Sequence, residues 1–445
     1  MKSLSVKGTS GEAIVSPPGW LFLLLSLLAV LYSVLPLTFW RLPNAVEILF
    51  AVFGLYVFFR YARGIRWSLP VKLFAAAIVI ATLSWAGMVL DHPDLARSGP
   101  SLEDVLDKFM FLFLACVLAG NHNRIQAYLI TFGLFVLVMP WLSGNGFSEI
   151  ANGLDGVRAE FGINPIRSGL LFGAVALGLI CFGYRLVLRP GLSIVRLIVW
   201  LLLLLFALTM LFITQSRTAM VALVPGLLIA FLLLMAFSRV ARRTKLYIAG
   251  GAVAALVLSV LLSLALGLSN LIEDRFGQEA ELVSQVIEGD LDEIPKSSWG
   301  LRLLFISEAF EGISERPLTG WGYRAGEIVL DTPELRQGDG GVFSQVHNSY
   351  LEAALRYGIG GLIVVLGLFA WAVVGILRCW RHRQMPLDMM IFLGATFSYF
   401  MVANLFDGLL FQTEGVLMFN VLMGVAASYI FQDMQLSARE PERHI

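Results

Sequence analysis

His347 is the side chain around which chemistry can be organised in this sequence. It stands in Gln345-Val346-His347-Asn348-Ser349-Tyr350-Leu351-Glu352, at the end of a long polar segment and just before the apolar run 359–377. Imidazole is the side chain whose ordinary titration straddles neutrality, so it can take and return a proton. Three of the other histidines, His122, His382 and His444, lie in short polar stretches or the tail, and His92 sits in a loop beside Asp91 and Asp94. Ser349 and Glu352 have capping-box spacing, which sets a helix start immediately after His347. Free N–H groups at such a start attract anions and favour the neutral imidazole that a general base requires. Taken alone, such a residue is more often a surface histidine.

Three further side chains fit that chemistry. Arg217 lies in Thr214-Gln215-Ser216-Arg217-Thr218-Ala219, a tight turn between two apolar runs. There it is either a snorkelling arginine that meets lipid head groups or a fixed anion clamp suited to phosphate. Arg302 shares a helical-spaced stripe with Phe305, Ile306, Ala309, Phe310 and Ile313. A guanidinium on a packed face needs an anionic partner, and Glu308 and Glu311 are the local candidates. Asp407 ends another apolar run; an acid there is a functional candidate or the support of a neighbouring arginine. Glu352 and Arg356 can pair four residues apart, and Arg158 and Arg167 flank the Asn164-Pro165 turn, where they add positive field. No His/Cys pattern indicates a metal, no P-loop indicates a nucleotide, and neither a cofactor nor a nucleic-acid partner is indicated. Gly320 and Gly322 do not make a dinucleotide fingerprint, because no strand precedes them.

The elements that must hold these residues are membrane helices. The chain has 445 residues, of which 58% are hydrophobic and 14% charged, and its mean hydropathy of +0.79 excludes a soluble domain, in which about 25% of residues are charged. Twelve runs are expected to span a bilayer: 20–37, 46–59, 71–90, 109–119, 127–142, 169–184, 197–213, 219–237, 246–268, 350–377, 389–409 and 416–431. The fold class is therefore all-α and polytopic, with residues 1–445 as a single integral membrane domain. Basic residues cluster in alternate connections, at Arg60/Arg63/Arg66/Lys72, Arg124, Arg185/Arg189/Arg196, Arg239/Arg242/Arg243/Lys245 and Arg378/Arg381/Arg383. The positive-inside rule makes that side cytoplasmic, with both termini, and turns the large loop 269–349 outward. No cleavable signal is evident before the first span. Cys116, Cys181 and Cys379 fall in or at the cytoplasmic half of spans, where packing is their expected role and no disulfide is expected.

Within the large loop, Ser298 is placed to cap a helix over 299–313 that Pro317 ends, Gly320-Trp321-Gly322-Tyr323 reads as a turn, and 338–341 reads as a joint. The segment 144–167 is rich in turn signals and is expected to hold little regular structure. The helical interiors carry almost no charge and no internal repeat is visible, which argues against a transporter. An external site without nucleotide machinery cannot use a cytoplasmic nucleotide sugar, so arginines at the outer head-group level suggest a donor that is itself a lipid phosphate.

Ser216-Arg217-Thr218-Ala219, Pro317-Leu318-Thr319-Gly320-Trp321-Gly322 and His347-Asn348-Ser349-Tyr350-Leu351-Glu352, in this order and with a long external loop ending at the histidine, resemble the O-antigen ligase/polymerase family over roughly residues 160–430. The resemblance implies a GT-C-like helical fold and a metal-independent, inverting transferase in the bacterial inner membrane. It implies a donor glycan on undecaprenyl diphosphate and an acceptor hydroxyl at the periplasmic face. It also implies that Arg217 and Arg302 bind the diphosphate, that His347 activates or positions the acceptor hydroxyl, and that Asp407 and Asn348 support substrate binding. The acceptor would be lipid A–core for a ligase, another lipid-linked repeat for a polymerase, or a protein for an O-oligosaccharyltransferase. Nothing in the residues separates ligase from polymerase; the ligase is the reading carried forward, and a lipid-linked glycan flippase is the remaining alternative.

Overall fold

Apolar segments in a bilayer close their backbone hydrogen bonds internally as helices, and among the described residues every regular element is helical. The computed structural model describes residues 17–38, 43–188, 191, 193–238, 298–333, 335 and 342–439. The helices are α1 (Gly19–Val34), α2 (Pro43–Tyr61), α3 (Leu69–Asp91), α4 (Leu102–Asp107), α5 (Phe111–Leu118), α6 (His122–Leu142), α7 (Phe147–Leu154) and α8 (Pro165–Gly183). They continue with α9 (Ile194–Ile213), α10 (Arg217–Phe237), α11 (Ser298–Glu315), α12 (Ala325–Val329), α13 (Ser349–Arg381), α14 (Leu387–Phe406) and α15 (Thr413–Arg439).

Ten helices among the described residues are long and apolar enough to cross a membrane, and they coincide with ten of the twelve expected spans. The expected ninth span, 246–268, lies outside the described residues, as do the joint at 338–341 and the loop up to residue 297. The expected fourth span, 109–119, is corrected: α5 has eight residues, which is about 12 Å of helix and too short to cross. Instead α4 and α5 together run between the two ends of the bundle. α4 begins near Arg97, whose guanidinium donates to Ser101, while Gly120 lies against Gln432 at the far end of α15. The break between them exposes backbone groups that Asn420 satisfies: its Oδ1 accepts from Phe111 N at 2.9 Å, and its Nδ2 donates to Asp107 O at 2.6 Å. A polar side chain that repairs a broken helix is how such breaks persist in hydrocarbon.

α15 is the axis of the bundle, since its apolar stretch is entirely buried, whereas those of α3, α9 and α10 are only 17% buried and face outward. Contacts sort the connections into two ends. At one end Gly64 meets Gln435, His122 Nδ1 bonds Tyr429 OH at 2.9 Å, Arg185 pairs with Asp388, and His382 Nδ1 bonds Asp433 at 2.7 Å. The basic connections Arg60/Arg63/Arg66, Arg124, Arg185 and Arg378/Arg381/Arg383 gather there. At the other end Arg316 pairs with Asp91 at 2.7 Å, Ala159 N donates to Ile213 O, and Arg167 pairs with Glu414 at 2.8 Å. His347 belongs to this second end.

Three local expectations change. Residues 144–167 contain α7 and are pinned by Glu149, whose carboxylate accepts the N–H groups of Asn145, Glu160 and Phe161. α11 runs to Glu315 and buries Phe305 and Ala309, while Phe310 is exposed, so its packed face is narrower than the stripe suggested. The interior also carries charge: Glu352, Arg356 and Asp433 are buried, and Lys108 pairs with Asp104 at 2.7 Å with both side chains 12% exposed.

Candidate active site

α13 starts one residue earlier than a Ser349 cap implies, because Asn348 is the cap. Its Oδ1 accepts from Tyr350 N and Leu351 N at 3.0 and 3.1 Å, and its Nδ2 donates to Leu405 O at 3.1 Å. Ser349 works on the opposite side of the site: its Oγ donates to Asp407 O and accepts from Leu410 N. Glu352 does reach back, as a capping-box acid does, but to Val346 N at 3.1 Å. Its other oxygen accepts Arg356 Nε at 2.6 Å, and the pair is almost fully buried.

These clamps hold His347 in the left-handed region, φ 52°, a conformation that costs a β-carbon residue about 1–3 kcal/mol and persists only where surroundings enforce it. The ring that results is tightly defined. Phe305 of α11 stacks on it at 5.8 Å between centroids, and His347 Nδ1 bonds Asp407 Oδ1 at 3.1 Å. A carboxylate only accepts, so Nδ1 carries the hydrogen and Nε2 keeps its lone pair in the neutral ring. Asp407 is buried, whereas the His347 side chain is 36% exposed. The pair therefore offers a base at an open surface, backed by an acid in the interior.

Arg302 lies one turn before Phe305 on the same face of α11. Burial pushes its guanidinium below the usual arginine range, and the Asp407 carboxylate opposes that shift. The structure thus brings His347, Asp407 and Arg302 together, with the Asp407 carboxylate, at the end of a different helix, acting on the Arg302 guanidinium. Arg217 opens α10, where Ser216 caps the helix by accepting Ala219 N at 3.3 Å. α10 and α14 run antiparallel: Gly226 lies against Ala395 O and Tyr399, and Gly394 against Leu233. Following that register to the start of α10 brings Arg217 level with Phe406 and Asp407.

The Pro317–Gly322 segment locks the middle of α13. Gly358 breaks the helix at φ 64°, ψ −168°, which frees backbone groups that the segment captures. Trp321 N donates to Leu355 O at 2.8 Å, Gly322 N to Arg356 O at 2.9 Å, and Ile359 N to Pro317 O at 2.8 Å. Sequence reasoning did not foresee this pairing, nor the Glu352 clamp on Val346; the glycines alone signalled a turn. Glu352→Ala is expected to cost about 3–5 kcal/mol, because it removes the carboxylate that hydrogen-bonds the buried Arg356. Thermal unfolding of the detergent-purified protein checks this, and an unchanged midpoint would contradict the clamp.

Residues 201–366 match the family model described as O-antigen ligase. No curated protein matches the chain. The matched segment contains Arg217, Arg302, Asn348 and His347, together with Gly320 and Gly358, while Asp407 lies beyond it. Over residues 201–366, the segment that carries most of these side chains, the chain is similar to the O-antigen ligase family.

Proposed function

We propose that the protein is an O-antigen ligase-type glycosyltransferase, which moves a glycan from undecaprenyl diphosphate to a hydroxyl of lipid A–core at the periplasmic face of the bacterial inner membrane. The observation that carries this reading is the His347–Asp407 pair with the Arg302 guanidinium beside it, at the end of the bundle opposite the basic connections. By the positive-inside rule that end is external, where a lipid-linked donor is the available activated sugar.

In this reading the acceptor O–H loses its proton to Nε2 of His347 as its oxygen bonds the anomeric carbon. The bond from that carbon to the diphosphate oxygen breaks on the opposite face, so the configuration inverts. Arg302 and Arg217 take up the charge that grows on the departing diphosphate, the role that a metal fills in other transferases. Asp407 stabilises the imidazolium that forms. Asn348 orders the turn through its oxygen and can offer its second amide hydrogen to the sugar.

Removing one such charge stabiliser is expected to lower transfer by about 10²–10³, so Arg302→Ala should fall in that range in a membrane assay. Arg302→Lys should recover only part, since an ammonium lacks the fork that grips two phosphate oxygens. Full activity in both would remove Arg302 from the reaction. The function itself is tested by a strain lacking the gene. Lipopolysaccharide gels should show bare core, with polymer accumulating on the lipid carrier. Core capped with a single repeat would instead identify a polymerase.

A further inference from the structure

Two cavities on the α3 side of α13 meet at one side chain, Tyr357. The lower one is an open cleft walled by Ala77 and Ile80 of α3, Val364 and Leu368 of α13, and Phe419 of α15. Its polar end is closed by Asp104, which accepts from Tyr357 OH at 2.6 Å. The upper one lies above Tyr357 and is walled by Trp85, Trp321, Tyr323, Arg97 and Arg324. Arg97 lies 4.5 Å from the Tyr323 ring, and Arg356 lies 4.9 Å from the same ring.

The two halves have opposite solvents. A hydrocarbon-lined cleft beside an outward-facing transmembrane helix does not hold water, so a lipid chain is its natural filling. The upper half has the aromatic and arginine composition of the head-group layer. Its arginines pair with exposed acids, Glu103 and Glu327, at 3.2 and 2.6 Å. Exposed pairs of this kind yield easily to a phosphate, which arginine binds in a forked geometry. The cleft therefore fits an amphiphile with an anionic head.

Its position says which one. The arginines assigned to the donor diphosphate sit with α10, α11 and α14, whereas the cleft is built by α3, α4 and the α3-facing side of α13. From the pocket, Arg356 leads through Glu352 to Val346 N, the residue before His347. We propose that this cleft is the acceptor site, and that it takes a phosphate-headed glycolipid with its chain between α3 and α13 and its sugar-phosphate against Tyr323 and Arg97. The proposal rests on the transferase reading above.

The test uses the full-length protein in phosphatidylcholine vesicles, with a polyprenyl-diphosphate-linked glycan as donor and a phosphorylated glycolipid as acceptor. Initial rates are measured while the surface concentration of each is varied. Ala77→Phe fills the lower cavity, Arg97→Ala strips the upper one, and Val79→Phe, on the exposed face of the same helix, is the control. Ala77→Phe and Arg97→Ala are expected to raise the acceptor KM about tenfold while the donor KM stays within about twofold, and Val79→Phe to change neither. Should Ala77→Phe not fold, Arg97→Ala alone carries the test. A shift in donor KM instead would give the cleft to the donor, and no shift in either would leave it as a site for structural lipid; both overturn the proposal while transfer itself survives. Absence of any new glycosidic bond with the unaltered protein sinks the transferase reading, and this proposal with it.

Discussion

His347→Asn should abolish glycan transfer, by about 10²–10⁴, while leaving the protein folded. Asparagine is the informative replacement because the site demands a left-handed backbone, φ 52° at this residue, and asparagine adopts that conformation more readily than alanine does. Backbone strain is thus held nearly constant while the proton acceptor is removed. Asp407→Asn probes the same pair from its buried side. The amide oxygen can still accept Nδ1–H, so the ring keeps its tautomer, but no negative charge remains to stabilise the imidazolium. A comparable loss is expected, again without unfolding. If His347→Asn retained full transfer, the acceptor proton would have to leave by another group, and the role given to the His347–Asp407 pair would be lost.

Gly358→Ala should prevent the protein from reaching its folded state in the membrane, or lower its stability by about 2–6 kcal/mol, because two costs add. The φ 64°, ψ −168° backbone belongs to a region essentially reserved for glycine, at about 1–3 kcal/mol. A β-carbon would also stand 2.7 Å from Pro317 O, an overpacking that costs about 1–3 kcal/mol more. Gly320 faces the same joint from the other side, since its added carbon would meet Arg356 O at 2.6 Å and Gly358 N at 2.7 Å. Because each glycine clears room for the other's backbone, Gly320→Ala should fail in the same way. Size-exclusion profiles and thermal unfolding in detergent check both variants, and wild-type behaviour of Gly358→Ala would contradict the interlocked joint.

Much of the frame was readable from residue types, because hydrocarbon imposes long apolar helices whatever the tertiary packing. The fourth crossing was misjudged for a physical reason: Asp104, Asp107 and Lys108 look like loop residues, yet Tyr357 OH donates to Asp104, Lys108 pairs with Asp104, and Asn420 donates to the Asp107 carbonyl. The same holds for Arg302. Its stripe demanded an acid, and local spacing offered Glu308 and Glu311; the Asp407 carboxylate, at the end of another helix, also acts on it. Helix spacing reports neighbours within one element and is blind to partners on another. His347 could be singled out by its place at a helix start, but its strained backbone and the reach of Glu352 to Val346 depend on how the chain turns, which spacing does not encode. The cap assigned to Ser349 fell one residue late because Asn348 and Ser349 are both capping types, and only geometry separates them.

Reconstitution of the purified protein with a polyprenyl-diphosphate-linked glycan and a lipid A–core acceptor decides whether this site forms glycosidic bonds. The unaltered protein is expected to join glycan to acceptor, and His347→Asn, with an unchanged thermal midpoint, is not. Glycan that crosses the vesicle membrane without forming a new bond, or a His347→Asn protein that joins the two at the unaltered rate, would contradict the role given to this site.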